Sequence, residues 1–136
     1  GGVAGGIQRA TGPELREACR PLGGCRTGEA VSTPGFRLPC RFVIHTPGPV
    51  WHGGNRGEAE LLGACYRNSL RLAAKNGCAS IAFPAISTGV YRYPKREAAQ
   101  IAVETVRAWN ETLPERVVFC CFSAEDLAIY RQAAGE

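Results

Sequence analysis

The chain has 136 residues, 45% of them apolar and 21% charged, with a formal net charge of +4. That balance fits one soluble globular domain over residues 1–136, large enough for a proper hydrophobic core. No apolar run reaches membrane-spanning length, no leader pattern opens the chain, and no Lys/Arg run marks a nucleic-acid stripe. The seven cysteines, Cys19, Cys25, Cys40, Cys65, Cys78, Cys120 and Cys121, are odd in number and none has CxxC spacing. A disulfide framework or zinc site is therefore not expected, and a reducing, cytoplasmic setting is. The chain lacks Met and opens on Gly1-Gly2, so the native start is expected further upstream.

Taken in chain order, a glycine-rich loop leads to a helix that Pro13 and Glu14 can start and Pro21 with Gly23-Gly24 can end. Residues 29–33 read as a short strand. Residues 41–46, Arg-Phe-Val-Ile-His-Thr, read as a strand buried on both faces in the middle, stopped by Pro47-Gly48-Pro49. A polar loop over 52–57 follows. The clearest helix spans 58–76: Leu62, Cys65, Tyr66, Ser69 and Ala73 share one face, and Glu60, Arg67, Arg71 and Lys75 share the other. Gly77 ends it. Residues 79–85 form a buried strand, followed by a turn at Ser87-Thr88-Gly89. Pro94 suits the start of a helix whose inward face carries Ala98, Ile101, Ala102, Thr105 and Trp109. Residues 116–122 give the last strand, closed by Phe122. Ser123 can cap a final helix through Arg131, with Asp126 in its first turn. Alternating strands and helices predict a layered α/β fold with a largely parallel central sheet. Ligands of such sheets bind beyond the carboxyl ends of the strands, where Ser87 and Ser123 fall.

Two segments could hold an anion on backbone N–H groups: Gly1-Gly2-Val3-Ala4-Gly5-Gly6-Ile7, and Pro84-Ala85-Ile86-Ser87-Thr88-Gly89-Val90-Tyr91. Two such loops facing each other could hold a diphosphate. Alone, the first fits a loose terminus equally well, and the second fits ordinary Ser/Thr capping. Ser87 lacks a GxSxG context and a triad pattern. His45 reads as a hydrogen-bonded structural histidine and His52 as a solvated loop residue, with no metal site between them. Glu58/Glu60 and Glu125/Asp126 read as helix N-terminal charge. Phe122 fits either core packing or an aromatic wall for a purine.

Five stretches carry a resemblance: Gly1 through Gly12; Gly35-Phe36-Arg37-Leu38-Pro39; Val43-Ile44-His45-Thr46-Pro47-Gly48-Pro49; Pro84 through Pro94; and Phe122 with Glu125-Asp126 and Tyr130. Together they resemble the macrodomain family, most closely its MacroD-type branch, in the right order over nearly the whole chain. The resemblance implies a three-layer α/β/α fold with a mixed, largely parallel central sheet that binds ADP-ribose without cofactor or metal. It places the diphosphate between Gly1, Gly2, Val3, Ala4 and Ile7 on one side and Ser87, Thr88, Gly89, Val90 and Tyr91 on the other. The distal ribose would lie near Tyr91 and the adenine against Phe122. The implied partner is ADP-ribose or an ADP-ribosylated protein, with a monomer expected and no membrane.

Enzymatic members of that branch remove ADP-ribose from acidic side chains or deacetylate O-acetyl-ADP-ribose. The family's usual opening strands and Asn-rich stretch, which supply an acidic adenine contact and an Asn near the distal ribose, are absent here. Ala4 stands where the branch usually has Asp, Gln8 where His is usual, and Arg92 where Gly is usual. The Asn, Asp and His are the groups associated with hydrolysis, so no catalytic residue is assigned. Three readings follow: an ADP-ribosyl hydrolase or deacetylase, a binding-only ADP-ribose reader, and an RNA- or nucleotide-binding module favoured only by the positive charge.

Overall fold

A computed structural model describes residues 25–136. The opening glycine loop and the helix expected over 13–21 lie outside the described residues. The described elements are β1 (Val31–Pro34), β2 (Phe42–His45), α1 (Glu58–Lys75), β3 (Ser80–Phe83), α2 (Lys95–Ala108), β4 (Arg116–Phe119) and α3 (Ala124–Ala133). Their order is the predicted alternation. The strands are shorter than their apolar runs because strand pairing ends before apolar character does.

Among the described residues the strands form two pairs. β3 and β4 are parallel, in register from Ser80↔Arg116 to Phe83↔Phe119, with α2 as the crossover between them. β1 and β2 are antiparallel, Val31 opposite His45 and Pro34 opposite Phe42. That pair departs from the expected parallel character. Its connection, residues 35–41, is too short for a parallel crossover, which needs about a dozen residues.

The three helices pack in sequence, α1 against α2 and α2 against α3. α1 buries Leu62, Cys65, Tyr66, Ser69 and Ala73 as its periodicity predicts, and Leu70 besides. α2 buries Ala98, Ala99, Ala102 and Val103, small side chains that let it lie close between its neighbours. Its inward face is turned relative to the predicted one: Ile101 and Trp109 sit at the edge of the core. Thr105 turns its hydroxyl back to the Ile101 carbonyl at 2.6 Å, the usual way a helix hides such a group.

The centre of the core is aromatic. Phe83 and Phe119 end β3 and β4 and stack with ring centroids 6.3 Å apart. Tyr66 of α1 meets Phe83 edge-on at 4.9 Å, and Tyr130 of α3 meets Phe119 at 5.1 Å. Each such pair contributes about 0.5–1.5 kcal/mol beyond its buried area. One cluster thus pins both strand ends to the helices on that side.

The start of α1 is organised by Glu58. Gly57, in a left-handed conformation at φ 75°, offers no side-chain cap. Instead the Glu58 carboxylate turns back into the preceding loop. Its Oε2 accepts the N–H groups of His52 at 2.8 Å and Gly54 at 3.0 Å, and its Oε1 accepts that of Arg56 at 2.7 Å. Glu58 is only 2% exposed. Both acids lie in the first turn as expected, but Glu60 is exposed and paired with Arg67 at 3.2 Å. The sequence reading treated the two acids alike, and the structure separates them. Hydrogen bonds, that from His52 first, overcome the opposing effect of burial and lower the Glu58 pKa from 4.5 to about 2.

Between those two pKa values the unfolded chain binds a proton at this site and the folded chain does not. Stability from Glu58 is therefore complete above about pH 4.5 and is lost as the pH falls toward about 2. Glu58→Gln should lower the thermal midpoint at neutral pH and flatten this acid limb, measured by thermal melts from pH 7 to 2. An acid limb unchanged by the substitution would show that other carboxylates set it.

Candidate functional site

β3 and β4 end side by side at Phe83 and Phe119, so the segments that follow, residues 84–93 and 120–123, emerge at one edge. That edge is where parallel α/β sheets take their ligands. The ladder extends one step further, with Cys120 N–H donating to the Phe83 carbonyl at 2.8 Å. Then the two chains part.

The 84–93 loop is closed by its own backbone. Tyr93 N–H donates to the Ser87 carbonyl at 2.9 Å, and Arg92 N–H to the Gly89 carbonyl at 3.0 Å. Thr88 Oγ1 donates to the Ala85 carbonyl at 3.1 Å. Ser87 and Arg92 both take positive φ, 68° and 63°. These bonds use the loop's carbonyls. The N–H groups of Ser87, Thr88, Gly89, Val90 and Tyr91 have no acceptor among the described residues. Consecutive uncommitted backbone donors are the kind of group that an anion can occupy. Its donors do not open α2, which begins only at Lys95. The expected helix-front loop is therefore a self-closed turn ahead of the helix.

A second loop supports the first. Trp51 N–H donates to the Tyr91 carbonyl at 2.9 Å, and the Trp51 ring packs on Tyr93 with centroids 4.7 Å apart. Gly48 lies directly under Ser87: a Cβ there would fall 2.2 Å from Ser87 Oγ and 2.6 Å from Ile86 Cγ2. Only glycine allows that approach. Glu58 anchors the other end of this supporting loop, through His52 and Gly54. Sequence reasoning missed Gly48, Trp51 and Glu58 as parts of the site. The one readable signal was a single acid closing a run, His52-Gly53-Gly54-Asn55-Arg56-Gly57, rich in N–H donors.

The apolar side chains at this edge face solvent. Val90 is 89% exposed, Tyr91 43% and Phe122 71%. Phe122 does not end the last strand, which stops at Phe119, and it is not core. The ladder ends at Cys120, so the chain turns and Phe122 swings out. Ser123 caps α3 as predicted, its Oγ accepting Asp126 N–H at 3.1 Å. Lys95 joins the starts of α2 and α3 by pairing with Asp126 at 3.2 Å and Glu125 at 3.4 Å. Those contacts, Asp126 first, raise the Lys95 pKa and keep it charged.

Gly1, Gly2, Val3, Ala4 and Ile7 lie outside the described residues. Ser87, Thr88, Gly89, Val90 and Tyr91 come together in the loop just described, and Phe122 stands three residues beyond the end of the neighbouring strand. Ser87 Oγ is buried without a hydrogen-bond partner among the described residues, so no base activates it there. His45 is structural: its Nε2 lies 3.1 Å from Thr33 Oγ1 across the β1–β2 pair, and burial lowers its pKa below 6.5. Among the described residues no three His, Cys, Asp or Glu side chains gather as a metal site. No described helix is long and apolar enough to cross a membrane.

The arrangement has close relatives. A macro domain-containing protein of Chlorobaculum tepidum is 63% identical over 98% of this chain and 78% of its own length. A Klebsiella pneumoniae protein named O-acetyl-ADP-ribose deacetylase is 56% identical over 97% of this chain and 79% of its own. A variant of the Oceanobacillus iheyensis macrodomain, solved with ADPR, superposes with a TM-score of 0.92 at 44% identity, over 99% of this chain and 77% of that one. The sequence profile of the Macro domain family matches residues 1–102, and with these relatives beside it the chain belongs to the macro domain family.

Proposed function

We propose that the protein binds ADP-ribose across the carboxyl ends of β3 and β4 and hydrolyses its esters, O-acetyl-ADP-ribose among them. The observation that carries the binding reading is the row of uncommitted N–H groups from Ser87, Thr88, Gly89, Val90 and Tyr91. A diphosphate has the charge and the oxygens to occupy them. The opening segment, with Gly1, Gly2, Val3, Ala4 and Ile7, would close over it from the other side. Tyr91 would stand by the distal ribose. Phe122 would offer its exposed ring to the adenine. The relative named O-acetyl-ADP-ribose deacetylase and the neighbour solved with ADPR support the choice of ligand and of an ester as substrate.

A binding-only reader is the second reading. Ala4 and Gln8 favour it, because neither can deprotonate a water. In the hydrolytic reading the ligand's own diphosphate, held by the loop, is the strong anion at hand to activate that water. The whole chain would form one macrodomain and work as a monomer.

Three measurements test this. Among the described residues a Cβ on Gly89 meets nothing within 4 Å, so Gly89→Glu should fold normally. Its carboxylate would stand against the diphosphate, where like charges about 4 Å apart cost about 1 kcal/mol each even in water. ADP-ribose affinity by calorimetry should fall at least about tenfold. Unchanged affinity would remove the loop from the site. Phe122→Ala should leave the thermal midpoint unchanged, since the ring is exposed, and weaken ADP-ribose by about 1–3 kcal/mol, the worth of one base–aromatic stack. Wild-type affinity in that variant would leave Phe122 without a part in recognition. Finally, Ala4→Asp with Gln8→His should raise ester turnover by up to about 10²–10⁴-fold with little change in affinity. If the unaltered chain turns over as fast as that double variant, activation of water by the diphosphate is the mechanism, and the reader interpretation falls.

A further inference from the structure

We propose that Arg92 selects ADP-ribosylated proteins whose modified site is flanked by acidic residues. The proposal rests on the ADP-ribose reading above and adds the class of macromolecule attached to the ligand.

Arg92 follows Tyr91 directly and is held in place by two backbone bonds, its own N–H to Gly89 and that of Tyr93 to Ser87. At φ 63° its backbone lies in a region that glycine enters without penalty and other residues enter at a cost. The side chain returns nothing to the fold for that cost. It is exposed, and it has no hydrogen bond or ion pair among the described residues. The neighbouring cations are committed: Lys95 to Glu125 and Asp126, and Arg96 to the Gln132 side-chain oxygen at 2.6 Å. Arg92 is thus the uncommitted guanidinium of this stretch, fixed in backbone and open to solvent. Such a group has its use outside the chain.

Its place indicates for what. With the diphosphate on the 87–91 donors and the distal ribose by Tyr91, as the proposed function has them, a protein attached to that ribose would leave the site on the side of the exposed Tyr91. The polypeptide attached there would pass Arg92. A guanidinium pairs with carboxylates in a planar, two-bond geometry. Aspartates or glutamates beside the modified residue would meet it. A small ester of ADP-ribose does not extend that far and would not sense it.

The test uses two ADP-ribosylated peptides joined through a linkage the protein cannot cleave, one flanked by glutamates and one by glutamines, with free ADP-ribose as reference. Dissociation constants are measured for the wild type, Arg92→Gly and Arg92→Glu. Arg92→Gly suits the backbone and should not lower the thermal midpoint, so a loss of binding is not a loss of fold. An exposed ion pair contributes about 0.2–1 kcal/mol, so the wild type should prefer the acidic peptide by about 1.4- to fivefold. Arg92→Gly should abolish that preference and leave free ADP-ribose unchanged, and Arg92→Glu should reverse it. The preference should fade near 1 M salt, where the Debye length is about 3 Å. Equal preference in the wild type and Arg92→Gly would overturn the proposal while leaving the ADP-ribose reading intact. An equal loss on both peptides and on free ADP-ribose would also overturn it, because Arg92 would then hold the ligand itself. Failure of the wild type to bind free ADP-ribose would overturn both.

Discussion

The stacked pair Phe83–Phe119 is the contact on which the rest of this molecule depends. These two residues face each other in the parallel register and are the last of their strands. Both segments at the candidate site begin within a residue of them. Tyr66 and Tyr130 brace the pair from α1 and α3, so the cluster sets strand ends and helices together. The β3–β4 ladder is only four residues long, too short to fix its own position. Its register is held because slipping either strand by one residue would turn that strand's ring to the opposite face and break the stack.

That rigid base allows a loop with unusual backbone above it. Ser87 and Arg92 hold positive φ, the loop's carbonyls bond within the loop or to Trp51, and its N–H groups are left over. Positions of this kind cost energy and persist only where their surroundings over-determine them. Here the surroundings are identifiable. Gly48 lets the supporting loop approach Ser87, Trp51 holds Tyr91, and Glu58 fixes the supporting loop through three donated N–H groups. A buried carboxylate thus stabilises, at one remove, the geometry of the 84–93 loop.

A site built on main-chain donors separates binding from chemistry. The donors belong to the backbone, so recognition of a diphosphate survives many side-chain changes, provided the loop keeps its shape. Hydrolysis needs a positioned base, which the backbone does not supply. In the proposed function, Ala4 and Gln8 would therefore bear on turnover rather than on affinity. It is also why members of one fold can serve as readers or as hydrolases.

The sequence by itself determined what depends on local periodicity and local chemistry. The three described helices, the Ser123 cap and the α/β alternation were all legible, because a helical face repeats within a few residues and a cap spans three. The loop of Ser87, Thr88, Gly89, Val90 and Tyr91 was singled out by its place after an apolar run, although the strand before it, Ser80–Phe83, buries only Phe83 and leaves Ser80 and Ala82 exposed. Tertiary structure alone decided four things. It stopped the last strand at Phe119 and put Phe122 in solvent, since pairing with β3, not apolar character, ends a strand. It made β1 and β2 antiparallel, a consequence of their short connection. It buried the first-turn carboxylate of Glu58 as an acceptor, because the donors that claim it belong to a loop tied to Tyr91 through Trp51. And it brought Gly48 under Ser87, a contact between residues far apart in the chain. Each depends on which distant groups meet, and a pattern read a few residues at a time carries no record of those meetings.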